Sequence, residues 1–167
     1  MGQPKKFKKK YARPKKPYDK ERIDSERKIL DNFGLRRKKE IWRAEGIVRD
    51  YRRRARELQA KKNEIAEKQL IERLNRLGIQ CKRLDDVLQI NLDDILSRRL
   101  QTIVFKKGIA NSMKHSRQLI VHGHVAVDNK KVYWPSYIVE KESEDKISLS
   151  NYIASKMVKA DNVEKKQ

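Results

Sequence analysis

Residues 115–139, HSRQLIVHGHVAVDNKKVYWPSYIV, contain all three histidines and one of the two tryptophans of the chain. Three histidines so close together suggest a metal centre or an active site. Their spacing argues against both. His115 and His122 are seven residues apart, two helical turns or about 10 Å along an axis, so they do not meet at one ion. No cysteine stands nearby, and the local acids, Asp128 among them, are too few to complete a coordination shell. The segment also lacks a nucleophile–base–carboxylate set and a Gly-rich cradle ending in Lys-Ser/Thr. What it carries, with the residues just before it, is a density of outward polar groups: Lys106, Lys107, Ser112, Lys114, His115, Arg117, Gln118, His122 and His124. Helix N-termini offer free N–H groups to phosphates, and histidine and arginine offer flat surfaces to unstacked bases. The expectation is an RNA-docking surface with no metal and no cofactor.

Working outward, a cap at Asn111 or Ser112 opens a short helix carrying Met113, Leu119 and Ile120, which stops at Gly123. Val125 and Val127 then alternate with polar residues, turn at Asp128-Asn129 and return through Val132, a hairpin pattern broken by Pro135. Upstream, Asn91 caps a helix with Asp94 in its first turn and Ile90 and Ile95 spaced as a hydrophobic staple. The apolar positions Leu96, Leu100, Ile103 and Val104 continue that helix to Gly108. Three more helices precede it. Asp19 caps the first, with Ile23, Leu30 and Phe33 on one face and Gly34 as its stop. The second places Ile41, Trp42, Ala44, Ile47, Val48, Tyr51, Ala55 and Leu58 at helical spacing, opposite Arg49, Arg52, Arg53, Arg54 and Arg56. A solvated face is normally mixed in sign, so this arginine run reads as phosphate-facing. Asn63 caps the third, an evenly charged structural helix ending at Gly78. Cys81, the single cysteine, excludes an internal disulfide and reads as a small buried apolar residue.

Charged residues make up 40% of the chain and hydrophobic ones 37%, with a net charge of +20. So little apolar material argues against one large core. Such a surplus repels itself unless an anionic partner neutralises it, and nucleic acid gains counterion release on doing so. A membrane is the weaker alternative: no apolar run approaches the roughly 18 residues of a spanning helix, and no signal-peptide core is present. The chain is therefore expected in the cytoplasm. The excess is uneven: residues 1–62 hold 24 Lys/Arg against 9 Asp/Glu. The opening MGQPKKFKKKYARPKKP has eight basic residues (Lys5, Lys6, Lys8, Lys9, Lys10, Arg13, Lys15, Lys16), three prolines and no acid. It cannot fold alone and reads as an arm that orders on RNA, with Phe7 and Tyr11 able to stack or pack among the lysines.

Arg83-Leu84-Asp85 matches the catalytic aspartate motif of pseudouridine synthases, but the large sheet domain of such an enzyme is missing, and an ordinary helix start is the better reading. An RNA-modifying enzyme subunit and a non-specific nucleic-acid binder remain as alternatives to a non-catalytic RNA-binding protein.

The stretch SRRLQTIVFKKGIANSMKHSRQLIVHGHVAV followed by WPSYIV resembles the RNA-binding module named after small-subunit ribosomal protein four. YARPKKPYDKERIDSERKILDNFGLRRKKEIWR with RRRARELQ is similar to the archaeal and eukaryotic form of that ribosomal protein, and the absence of a long basic tail favours an archaeal source. Ser116 and Asp128-Asn129 depart from the family pattern. The cysteine zinc knuckle of some bacterial members is not carried over. The resemblance implies an α+β fold: a basic arm (1–17), a helical rRNA-binding domain (18–90), the module of two to three short helices and a small antiparallel sheet (91–150), and a C-terminal tail (151–167). It implies a structural constituent of the small ribosomal subunit that binds the 5′ domain of 16S-type rRNA, nucleates assembly of the subunit body and influences decoding accuracy. Its neighbours would be other small-subunit proteins, notably family five, and mRNA where it enters the subunit. Matched position by position, Arg98, Arg99, Ser112, His115, Arg117, His122 and His124 become RNA contacts. Arg36, Arg37, Lys38, Lys39, Arg43 and Lys130 join the basic residues already named.

Overall fold

The computed structural model describes residue 9 and residues 11–150. Three helices come first: α1 (Lys20–Asn32), α2 (Lys38–Ala60) and α3 (Glu64–Arg76). Of the apolar stripe of α2, Ile41, Ala44, Val48, Tyr51 and Ala55 are buried, while Trp42, Ile47 and Leu58 are half-buried against the same core. They pack with Leu70 and Leu74 of α3, Val87 of α4 (Leu84–Gln89), and Ile95 and Leu96 of α5 (Leu92–Ser97). The Asn63 side chain accepts from the Ala66 N–H at 3.2 Å, capping α3. Asp19 stands at the N-cap position of α1 without a side-chain bond to the helix, although Ile23 N–H reaches its carbonyl at 3.1 Å. Ile90 and Ile95 are both buried around the Asn91 cap, where the Asp94 carboxylate accepts from the Asn91 N–H at 2.8 Å.

A second apolar cluster begins at Leu100. Leu100, Ile103 and Val104 of α6 (Leu100–Lys106) pack on Leu119 and Ile120 of α7 (Met113–Val121) and on the small sheet. Ser112 is the cap of α7, accepting from His115 N–H at 3.1 Å. The sheet contains β1 (Val125–Val127), β2 (Lys130–Lys131) and, after the short α8 (Lys141–Glu144), β3 (Ile147–Leu149), in the order β2-β1-β3 and antiparallel throughout. Asp128 and Asn129 take φ of 50° and 63°, the doubly left-handed turn that matches strand twist. The edge strand β3 lies beyond the hairpin expected from the sequence. Its three residues follow the charged run KESEDK and are too short to show an alternation of their own.

The helix expected to run unbroken from Asn91 to Gly108 is two helices. Its apolar spacing is helical throughout, but α5 ends at Ser97 and the chain bends at Arg98–Arg99. The bend frees N–H groups that the segment 135–139 satisfies: Leu100 N–H donates to the Tyr137 carbonyl at 2.7 Å and Gln101 N–H to the Pro135 carbonyl at 3.5 Å. In return Val139 N–H donates to the Arg98 carbonyl at 3.0 Å. Partners some forty residues away leave no mark on local periodicity. The break also divides the apolar clusters, so α5 belongs to the first and α6 to the second.

Gln101, only 1% exposed, crosses this junction. Its amide donates to the carbonyls of Gly34 at 3.0 Å and Met113 at 2.9 Å, while Ser116 Oγ donates to its backbone carbonyl at 2.7 Å. The loop after α1 therefore lies against the start of α7. At Gly34 (φ 55°) an added Cβ would stand 2.6 Å from Met113 Cβ; at Gly108 (φ 71°) it would meet nothing. Gly34→Ala should accordingly cost about 3 kcal/mol, strain and steric overlap together, and Gly108→Ala about 1 kcal/mol from backbone strain alone. Urea unfolding of the two variants checks this; equal losses would show that the approach of Gly34 to Met113 is not tight.

Candidate nucleic-acid interface

The sequence RRKKE delivers four cations and one carboxylate to the start of α2. Glu40 turns inward, where its side chain is 14% exposed. Arg99 donates to its Oε2 at 2.6 Å, and Arg117 spans both oxygens at 3.1 and 3.0 Å. One carboxylate thus holds the helix break and α7 against α2. Burial alone would raise the Glu40 carboxyl, but the hydrogen bonds and charges of Arg117 and Arg99 outweigh it and hold the group below the ordinary glutamate range.

Above this node lies a cleft of about 350 Å³ walled by Arg36, Arg37, Lys39 and Arg43 on one side and by Arg117, Pro135 and Ser136 on the other. Among the described residues Arg36, Arg37, Lys39 and Arg43 have no carboxylate within 4.0 Å, and all four are exposed. The cleft is thus open, concave and strongly cationic, with its two walls drawn from the two halves of the chain.

Residues 98–145 match the S4 domain family. Three archaeal proteins named small ribosomal subunit protein uS4 are similar over nearly the whole length. The one from Ignicoccus hospitalis is 47% identical over 152 residues, covering 88% of this chain and 92% of its own. That of Methanothermobacter thermautotrophicus is 44% identical over 164 residues, covering 95% of each. That of Methanococcus aeolicus is 48% identical over 154 residues, 89% and 87%. This chain belongs to the uS4 family. The S4 domain match starts at Arg98, the point where the helix breaks and the second apolar cluster begins.

The two arginines at that point are built into the frame of the chain. Arg99, expected among the RNA contacts, is 5% exposed and held by Glu40. Arg98 donates to Glu144 at 2.9 Å and to the Val139 carbonyl, with its guanidinium 3.0 Å from where a Cβ on Gly78 would be. Arg52 is likewise tied, donating to the Ile90 carbonyl at 2.6 Å, and Lys38 pairs with the buried Glu26 at 3.1 Å. The rest of the α2 run is open. Arg54 and Arg56 are exposed; Arg49 and Arg53 face carboxylates at 3.5–4.0 Å yet stay more than half exposed.

On the module, Lys106, Lys114, Gln118 and His122 are exposed along α6 and α7, and Lys130 on β2. Lys107 lies near Asp145 at 3.7 Å, and His115 accepts from Asn111 N–H. The His122 and His124 rings lie nearly parallel with centroids 6.1 Å apart. Between them Gly123 (φ 72°) sits so close under Tyr133 that a Cβ would come within 2.4 Å of its ring. Of the arm, Lys9, Arg13, Lys15 and Lys16 are exposed, whereas Lys5, Lys6, Lys8 and Lys10 lie outside the described residues. Tyr11 packs on Trp42 at 6.0 Å, with the Lys39 ammonium 6.0 Å from its ring, which brings the arm to the cleft rim. Among the described residues no group of three or more His, Cys, Asp or Glu could hold a metal, and no helix is long and apolar enough to cross a membrane. Asp85, the residue of the synthase-like motif, accepts from Gln59 at 2.9 Å on an exposed helix start.

Sequence reasoning missed Glu40, Gln101 and Glu26. A single acid within RRKKEIWR was the one available signal for Glu40. Replacing it by Gln leaves Arg99 buried without a counter-charge and should lower stability by about 3 kcal/mol at neutral pH. Because the folded pKa is depressed, the stability contributed by Glu40 is complete above the unfolded carboxyl's pKa and is lost as pH falls through the folded one. The gap between wild type and Glu40→Gln, followed by urea unfolding at a series of pH values, should close in acid. A gap constant with pH would rule out the charged node as its source.

Proposed function

We propose that this chain is a structural constituent of the small ribosomal subunit and a primary binder of the 5′ domain of 16S-type rRNA. In this reading it nucleates assembly of the subunit body and contributes to decoding accuracy beside the channel by which mRNA enters, next to the ribosomal protein of family five. It acts by binding and not by catalysis. The basic arm (1–17), the helical unit (18–90) and the module (91–150) each supply part of one RNA surface. Arg36, Arg37, Lys39 and Arg43 take phosphates; Lys114, Gln118, His122 and His124 meet bases and sugars. One observation carries the reading: four uncompensated cations line a cleft whose opposite wall is the S4 domain. Such a cleft suits a bent backbone with converging phosphates. The relatives' own name, small ribosomal subunit protein, points the same way.

The decisive experiment is binding to a transcript of the small-subunit rRNA 5′ domain, against tRNA and duplex DNA, over a salt series. Tight selective binding that persists at moderate salt is expected. Equal binding to all three, collapsing together, would reduce the interaction to non-specific charge. The triple variant Arg36→Ala/Arg37→Ala/Arg43→Ala should flatten the log–log salt slope by roughly 2 to 3, at about 0.7–0.9 per phosphate contact, with its fold intact because all three side chains are exposed.

A further inference from the structure

One turn beside the cleft is not explained by folding. Trp134 is 66% exposed and Tyr137 41%. They stand at the two ends of a β-turn closed by Tyr137 N–H donating to the Trp134 carbonyl at 3.1 Å, so their Cα atoms are within about 7 Å. Pro135 and Ser136, the central residues, line the cationic cleft. The turn is rigid: Pro135 fixes one φ, and the Pro135 and Tyr137 carbonyls accept from Gln101 and Leu100 at the start of α6. With Tyr133 50% exposed beside them, three aromatic side chains within five residues stand open to water, an exposed apolar cluster of the kind that marks an interaction surface.

We infer that the Trp134–Tyr137 turn is a seat for one unstacked nucleotide of a single-stranded RNA segment, its base on the Trp134 ring and its phosphate in the cleft. The inference rests on the RNA-binding reading above and adds to it a defined subsite. Charge selects the occupant. The cations of Arg36, Arg37 and Arg43 beside the turn favour a phosphate-bearing ligand over an apolar protein face. A base inside a duplex is stacked and cannot present its face, whereas an unpaired one can. Stacking tolerates any base, so the subsite selects for single-strandedness and not for sequence.

The test uses the full chain, with Trp134→Ala and Trp134→Phe. The probes are a short adenine-rich oligoribonucleotide, the same strand closed in a duplex, and the rRNA 5′ domain transcript. The single strand should quench intrinsic tryptophan fluorescence and the duplex should not. Trp134→Ala should lose that quenching and bind the single strand about tenfold more weakly, with an unchanged melting temperature because the side chain is exposed. Trp134→Phe, which keeps an aromatic face, should retain most of the affinity. If Trp134→Ala binds every RNA as wild type does, the seat does not exist and the ring serves another surface, while selective binding of the transcript would still stand. If wild type binds neither the transcript selectively nor the single strand, the RNA reading itself falls.

Discussion

The arrangement of this protein depends on the Glu40 carboxylate. The two halves of the chain each have an apolar cluster, and between the clusters lies a bent, polar junction, Ser97–Arg99. Apolar contact alone is non-directional and would leave the S4 domain free to settle on α2 at several angles. Glu40 removes that freedom because it accepts from Arg99 and Arg117 together, and the two arginines come from different elements. Gln101 adds a second fixed point on the far side of the helix break. A buried ion group of this kind is not required for stability, since apolar residues of similar volume often do as well. What it supplies is a single geometry, and with it a cleft whose two walls stand at one separation.

The same node explains why the cleft remains hungry for anions. Around one carboxylate stand Arg36, Arg37, Lys39, Arg43, Arg99 and Arg117. Glu40 pairs with Arg99 and Arg117, and no ion pair within 4.0 Å joins it to the other four among the described residues. The other four are exposed and line the same open cleft with no carboxylate partner among the described residues, so their like charges add to a positive potential that favours an anion. Arginines elsewhere divide in the same manner. Arg52 and Arg98 are fixed by carbonyls or carboxylates of neighbouring elements, and Arg22 by Glu26 of its own helix and the Lys16 carbonyl, whereas Arg54 and Arg56 point to solvent unpaired among the described residues. Net charge therefore overstates the binding surface: part of it is mortar.

That division is what the sequence hides. Caps and stops were legible because they are local: Asn63, Ser112, the Asn91–Asp94 pair and the glycines at 34, 78, 108 and 123 act within a few residues of their own helix ends. Even the Asp128-Asn129 turn, which departs from the family's usual pair, could be read from the tolerance of Asn and Asp for left-handed backbone. The helix break at Arg98–Arg99 could not, because its cause is the 135–139 segment supplying hydrogen-bond partners from afar. Nor does the resemblance that made Arg98 and Arg99 expected RNA contacts show what they touch: whether an arginine such as Arg99 meets RNA or a glutamate 59 positions away is decided in three dimensions. Among the expected contacts, exposure was clearest where helical periodicity alone decides it, as for Lys114 and Gln118 on α7.

The histidines that raised the question of a metal show how a local motif can hold a long-range meaning. His122 and His124 lie nearly parallel on either side of Gly123, which takes φ 72° and passes so close under the Tyr133 ring that an added Cβ would come within 2.4 Å of it. Tyr133 in turn precedes Trp134 and the turn that closes on α6. The glycine thus couples the end of α7, with His122 exposed and His124 half-buried, to the aromatic segment that leads to the cleft. A metal site would need those nitrogens to converge with a third donor. Stacked side by side, they offer faces and edges instead, which is the form of surface that an unpaired base can use.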